Sequence, residues 1–361
     1  MSHFPQRRRI ARVLAFSAAS VITIGALTSC AAEAADSGSD AGSDLSGQVI
    51  FADYGGPTNE SRQVSFFESF YEETGVEVIS DAIVEATMFE MFEGGEGDYD
   101  LIQASPDYVL TYGDNLLSLP SDVTVNDMMP EEVQDKAVGG FVFAVAQAWL
   151  TETYPDGGPQ DWVDFFDTET FPGKRAWPGS PWSFDSSFEI ALLADGVAPE
   201  DLYPLDLERA TAKLDTIRDD LVFYESYAET QTLLTSGTAA IAVSVNGQFT
   251  SLINQGVDVT VQWNQAFPSP AFFVVPAKAP NPENAWALAN WMADPDNQAV
   301  FVERTGYGPA TSDVLDLLSD DLLANLPTTA EHLEIAVVRD EEYIAENYST
   351  LLDTYTAWLG Q

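Results

Sequence analysis

The sequence predicts an α/β protein with parallel crossover units, large enough for two domains. Apolar runs at strand spacing alternate with runs at helical spacing, and glycine or proline stands between them. The 361 residues exceed one ordinary domain of about 100–150 residues. A 45% apolar content is normal for a chain that folds around a hydrophobic core.

The folded part opens with a strand, residues 48–53 (QVIFAD), broken by Tyr54-Gly55-Gly56-Pro57. A helix is expected over residues 59–74, because Val64, Phe67, Phe70 and Tyr71 share one face and Gly75 is a natural stop. Residues 76–79 make the next strand, and a connection of that length favours a parallel crossover. Residues 98–102 enter another strand that ends at Ser105-Pro106-Asp107. Further on, a short helix is expected at 162–166, a strand near 175–177, an apolar helix at 188–193 and an amphipathic one at 207–217. A helix at 230–235 precedes the apolar strand 239–245 (AAIAVSV); residues 257–263 and 272–275 read as two further strands. Helices are expected at 284–292 and 298–303, and a final one over 341–359 anchored by Tyr343, Tyr348, Tyr355 and Trp358.

The N-terminus reads as an export signal. Arg7, Arg8, Arg9 and Arg12 precede an uncharged run over residues 13–27, followed by Leu27-Thr28-Ser29-Cys30. That run is shorter than the roughly 20 residues a membrane span needs and suits a signal-peptide core. The tetrad resembles a lipobox, so residues 1–30 are expected to be a lipoprotein signal ending at a lipidated Cys30, with the chain anchored by lipid on the outer face of the cell membrane. Residues 31–47 are small, polar and acidic and are expected to be a flexible tether. Cys30 is the sole cysteine, so no internal disulfide is available.

Charge and residue supply exclude several function classes. The net charge is −44, with 58 acidic against 14 basic residues. Nucleic-acid binding is excluded, because a phosphate backbone requires basic surface. The two histidines are His3, inside the signal, and His332. His- or Cys-based nucleophilic catalysis and His-based metal sites therefore lack material; no cofactor, metal or catalytic residue is expected. The acidity suits a highly solvated surface.

Seven segments, in order along the chain, carry a family resemblance. They are FFESFYEETGVEV (66–78), GDYDLI (97–102), WVDFFDTETFPGKRAWP (162–178), ALLADGVAPEDLYPLDLERA (191–210), LTSGTAAIAVSVNG (234–247), VVPAKAPNPENAW (274–286) and TGYGPATSDVLDLL (305–318). Together they resemble bacterial extracellular solute-binding proteins of the spermidine/putrescine-binding branch. The resemblance implies a two-lobe, periplasmic-binding-protein-like (type II) fold. Lobe 1 would comprise residues 48–142 and 272–313, and lobe 2 residues 143–271 and 314–361, joined by crossing segments near 141–148 and 268–273. It also implies a hinge that closes a cleft on a small solute, no enzymatic activity, a monomer, and an ABC permease with its ATPase as partners.

The cleft expectation singles out particular residues. Tyr54, Gly55 and Gly56 stand at the carboxyl end of the first strand, where ligands bind in open α/β sheets and where glycine admits a ligand to the backbone. Ser105 and Tyr108 occupy the equivalent loop, with Asp107 available as a helix cap. Trp182, Phe184 and Asp185, and again Tyr224 and Glu225, pair aromatics with acids, a combination suited to an organic cation. Asn246 and Trp263 are placed at the same cleft, with Tyr307 closing one edge. Two positions depart from the polyamine-binding pattern: Val245 stands where a Trp is usual, and Ser269-Pro270-Ala271-Phe272 offers no acid. The favoured solute is a polyamine-like cation. An amino-acid-like or carboxylate ligand remains open, since a glycine-rich helix start suits an anion equally. A ligand sensor and a carboxylate-dependent hydrolase are the competing classes.

Overall fold

The computed structural model describes residues 45–361 except 128, 131, 132, 182–185 and 324. Its first crossover is the predicted one. β1 (Gln48–Asp53) ends at Gly55 and Gly56, both at positive φ, and α1 (Gly56–Arg62) begins with Pro57 in its first turn. The single helix expected over 59–74 is interrupted by a π turn at Gln63–Phe67 before α2 (Glu68–Thr74). The extra residue in that turn brings Ser65, Phe66 and Phe67 inside together. Gly75 closes α2 in the left-handed conformation.

β2 (Glu77–Ala82) pairs parallel with β1, Val49 opposite Val78. After α3 (Glu85–Phe92), β3 (Leu101–Ala104) pairs parallel on the other side of β1 and leads into α4 (Pro106–Tyr112). β4 (Ala137–Leu150) follows, then α5 (Trp162–Phe166), β5 (Arg175–Pro178), α6 (Ser187–Ala194), α7 (Leu207–Asp215) and β6 (Leu221–Tyr224). α8 (Glu229–Thr235), β7 (Ile241–Val245) and α9 (Asn246–Asn254) repeat the strand–helix rhythm. β5 pairs parallel with both β6 and β7.

The two strands expected at 257–263 and 272–275 are one, β8 (Val259–Val274), paired antiparallel with β4 along most of its length. Pro268 and Pro270 lie within this strand. They are two residues apart, so their missing donors fall on one edge of the strand, and β3 uses that strand only at Phe272–Val274. α10 (Pro282–Ala293), α11 (Pro295–Thr305), the short α12 (Asp320–Leu323) and α13 (Ala330–Ile335), and α14 (Glu341–Leu359) complete the chain.

Among the described residues one eight-stranded sheet runs β2-β1-β3-β8-β4-β7-β5-β6. Two parallel three-stranded groups therefore flank the long antiparallel pair β4/β8. Each group has its own core. Val49, Phe51, Phe66, Phe70, Phe273 and Trp286 lie in one; Trp149, Trp162, Trp177, Phe188, Tyr355 and Trp358 lie in the other. This is a two-lobe type II architecture in which β4 and β8 are shared by both halves. α14 joins the second core through Ile344, Leu351, Tyr355 and Trp358, yet its flank meets α4 of the first half.

Candidate functional site

The carboxyl ends of β1 and β3 in one half, and of β5, β6 and β7 in the other, mark where this sheet type places ligands. At the end of β1, Asp53 organises the Tyr54-Gly55-Gly56 loop. Its carboxylate accepts from the Gly55 N–H at 2.7 Å and from Asn59 Nδ2 at 3.1 Å, and it pairs with Arg62 Nη1 at 2.6 Å. Arg62 is 1% exposed and Asp53 fully buried. The guanidinium also donates to Gln103 on β3 and lies between the rings of Phe51, Phe141 and Phe301, 5.3–5.8 Å from their centroids. Burial lowers the Arg62 pKa, against the opposing pull of Asp53. Tyr54 itself remains 54% exposed.

Tyr307 seals this end. Its ring stacks on Phe141, centroids 4.7 Å apart, and its hydroxyl lies 3.4 Å from Thr58 Oγ1. Asn246 is buried with both amide atoms used: Oδ1 accepts from the Ala144 N–H and Nδ2 donates to the Gly306 carbonyl. A Cβ at Gly247 would meet the Tyr307 ring at 2.4 Å, so glycine is required for this approach between the start of α9 and the Tyr307 loop.

A second group lies where α4, α6 and the start of α14 converge. Arg339 Nη2 stands 3.6 Å from Glu341 Oε2 and Nε 4.0 Å from Glu189 Oε1. The Tyr203 hydroxyl donates to Glu189 at 2.8 Å. Asp107, buried at the start of α4, acts on Arg339 and Glu341 through space. Burial raises the pKa of Asp107 and of Glu341 from their ordinary values. Burial works against the charge on Arg339, but Glu341, Glu189 and Asp107 together hold its pKa above the usual value. Among the described residues, Arg339 Nε, Glu341 Oε2 and Ser186 Oγ have no hydrogen-bond partner. Beside this group the Tyr108 and Tyr348 hydroxyls meet at 3.1 Å with their rings edge to face, linking α4 to α14. Burial pushes the Tyr348 hydroxyl up to about 12.

The structure thus brings Tyr54, Gly55 and Gly56 to one strand end and Ser105 and Tyr108 to another. Trp182, Phe184 and Asp185 lie outside the described residues. Tyr224 is in the core of the second half, its hydroxyl donating to the Val243 carbonyl at 3.1 Å, so its ring is committed to packing. Glu225 is exposed and its N–H is held by Glu229 at 3.1 Å. Trp263 stacks on His332, centroids 4.6 Å apart. Asn246 and Tyr307 serve the framework described above. The sequence reading missed Asp53, Arg62, Glu189, Arg339 and Glu341. One signal was available: Arg339 is the only lysine or arginine after Arg304.

Known proteins support the same architecture. The model of the bacterial extracellular solute-binding protein family matches residues 65–330. The gamma-aminobutyric acid-binding protein of Pseudomonas aeruginosa is 27% identical over 319 residues, covering 85% of this chain and 90% of that protein. The solved Atu4243–GABA receptor is 31% identical with a TM-score of 0.76, covering 86% of this chain and 97% of its own. AgtB of Agrobacterium tumefaciens R10, solved with agropinic acid, is 27% identical with a TM-score of 0.78, covering 87% and 99%. The relatives named for a function are binding proteins, and among the described residues no helix is long and apolar enough to cross a membrane. A sheet divided about two shared strands and a family match across most of its length together place this chain in the bacterial extracellular solute-binding protein family.

Proposed function

We propose that this protein captures a small amino-acid-like solute bearing an ammonium group, in the cleft between its lobes, and delivers it to an ABC permease. One observation carries the reading. Three carboxylates, the buried Asp107 and Glu189 and the partly buried Glu341, act on one guanidinium, Arg339, at the meeting of α4 with α6 and α14. The Glu189 and Glu341 contacts with it are long, and Glu341 Oε2 has no hydrogen bond among the described residues. Buried charge is stable only when paired, and a solute ammonium supplies the missing cation. A diamine is the second reading, favoured by the same excess of carboxylate. The relatives whose printed ligands are gamma-aminobutyric acid and agropinic acid favour the amino acid.

Lobe 1 in this reading comprises residues 48–142 and 272 onward. Val314, Leu318 and Leu326 pack with Ala299 and Val302 of α11, so we place the last crossing after Leu326 rather than at 313. The protein works as a monomer, lipid-anchored at Cys30 and held off the membrane by residues 31–47. Cys30→Ser is expected to release it from the membrane fraction into the medium; continued membrane retention would refute the anchor.

The site is tested by calorimetry and thermal shift with ω- and α-amino acids, diamines and simple sugars. A ligand at a hundredfold excess over Kd stabilises the closed protein by about 2.7 kcal/mol. An ammonium-bearing compound is expected to give this shift, and Asp107→Asn to reduce it. Binding of sugars alone would overturn the reading.

A further inference from the structure

Ser186 stands at the N-cap position of α6. Ser186-Ser187-Phe188-Glu189 has the Ser-x-x-Glu spacing of a reciprocal helix cap. That cap is not made. Ser186 makes no side-chain cap bond, and its Oγ has no hydrogen-bond partner among the described residues, although the residue is 1% exposed. Glu189 instead turns to Tyr203 and Arg339. Ser186 also holds φ 55° and ψ 12°, the left-handed region that serine rarely adopts. Its carbonyl accepts the Ile190 N–H at 2.8 Å, so the helix proper starts here, and the N–H groups ahead of that bond have no partner within the helix. α6 follows β5, so its N-terminus stands at the carboxyl end of the β5–β6–β7 group, one turn from the Glu189–Arg339 pair.

We propose that Ser186 Oγ and the N-terminus of α6 receive the carboxylate of the solute, and so select an amino acid over a diamine. This rests on the ammonium reading of the Asp107–Glu189–Glu341 group given above. A helix N-terminus favours an anion through its aligned peptide dipoles and its unpaired N–H groups. The enclosed hydroxyl adds a donor that has no partner among the described residues. The carboxylate group and the ammonium group then belong to one ligand, received at adjoining turns of the cleft wall. A diamine has no anion for the helix end and would place a second cation against its positive pole.

The probes are 4-aminobutanoate, n-propylamine (the same chain without the carboxylate) and putrescine, measured by calorimetry on the full chain. Ser186→Ala and Ser186→Gly are compared, with circular dichroism melts on each. Glycine adopts the left-handed conformation freely, so Ser186→Gly is expected to melt no lower than the parent. A hydrogen bond to a charged group corresponds to about a ten- to hundredfold change in affinity. Both variants are expected to lose about that much for 4-aminobutanoate while binding n-propylamine as the parent does. Equal losses for both compounds, or an unchanged affinity for 4-aminobutanoate, would overturn the carboxylate assignment and leave the ammonium site standing. If the parent binds none of the three probes, the ammonium site fails, and this assignment with it.

Discussion

Replacing Arg62 with methionine removes the cation from the most enclosed ion pair among the described residues. The Arg62–Asp53 contact is 2.6 Å, with side chains 1% and 0% exposed. Methionine keeps an unbranched apolar stem among Phe51, Phe141 and Phe301. It leaves the Asp53 carboxylate buried with only the Gly55 N–H and Asn59 as partners. Breaking one side of a buried pair costs about 3–5 kcal/mol, because the remaining charge stays desolvated. At about 2 °C per kcal/mol for a chain of this size, the melting temperature should fall by roughly 6–10 °C. The measurement is a calorimetric melt and a urea titration of Arg62→Met, Asp53→Asn and the double variant. The double variant removes both charges, so it should recover a large part of the loss. Solute affinity should fall in Asp53→Asn, since that carboxylate fixes Gly55 in the loop. A melting temperature within about 2 °C of the parent for Arg62→Met, or strictly additive effects in the cycle, would refute the reasoning.

Two further predictions follow from the same geometry. Burial raises the pKa of Asp107 and Glu341. A carboxyl with a raised folded-state value binds protons more tightly folded than unfolded, so stability falls as pH rises from the ordinary carboxylate range through the raised value. The solute-free protein should therefore gain stability as the pH is lowered through that window, and Asp107→Asn should stabilise it at pH 7 and flatten the profile there; melts across pH 4–8 check this, and an unchanged slope in the variant would count against it. Gly247→Ala forces a methyl group into the Tyr307 ring, which is stacked on Phe141 and cannot retreat. Overpacking of this kind costs about 1–3 kcal/mol, and a urea midpoint equal to the parent's would show that the two segments part freely.

The sequence by itself determined the alternation of strands and helices, because local periodicity and glycine stops act within a few residues. α14 spans the residues 341–359 predicted from its aromatic spacing, and Gly75 ends α2 as its position implied. The sequence also determined the family, through segments spread along the whole chain. It did not determine which aromatics face the cleft. Tyr224 and Trp263 carry the same side chains a cation site would use, yet one is in a core and the other stacks on a histidine. That choice depends on sheet order, which sets the side of each strand that meets a neighbour. The two strands expected at 257–263 and 272–275 became one because β8 pairs with β4 along most of its length. Only the tertiary structure brought Asp107, Glu189, Arg339 and Glu341 together across more than two hundred residues. Charge at a distance leaves no local pattern in a chain with 58 acids, and becomes specific only when burial removes the water between the groups.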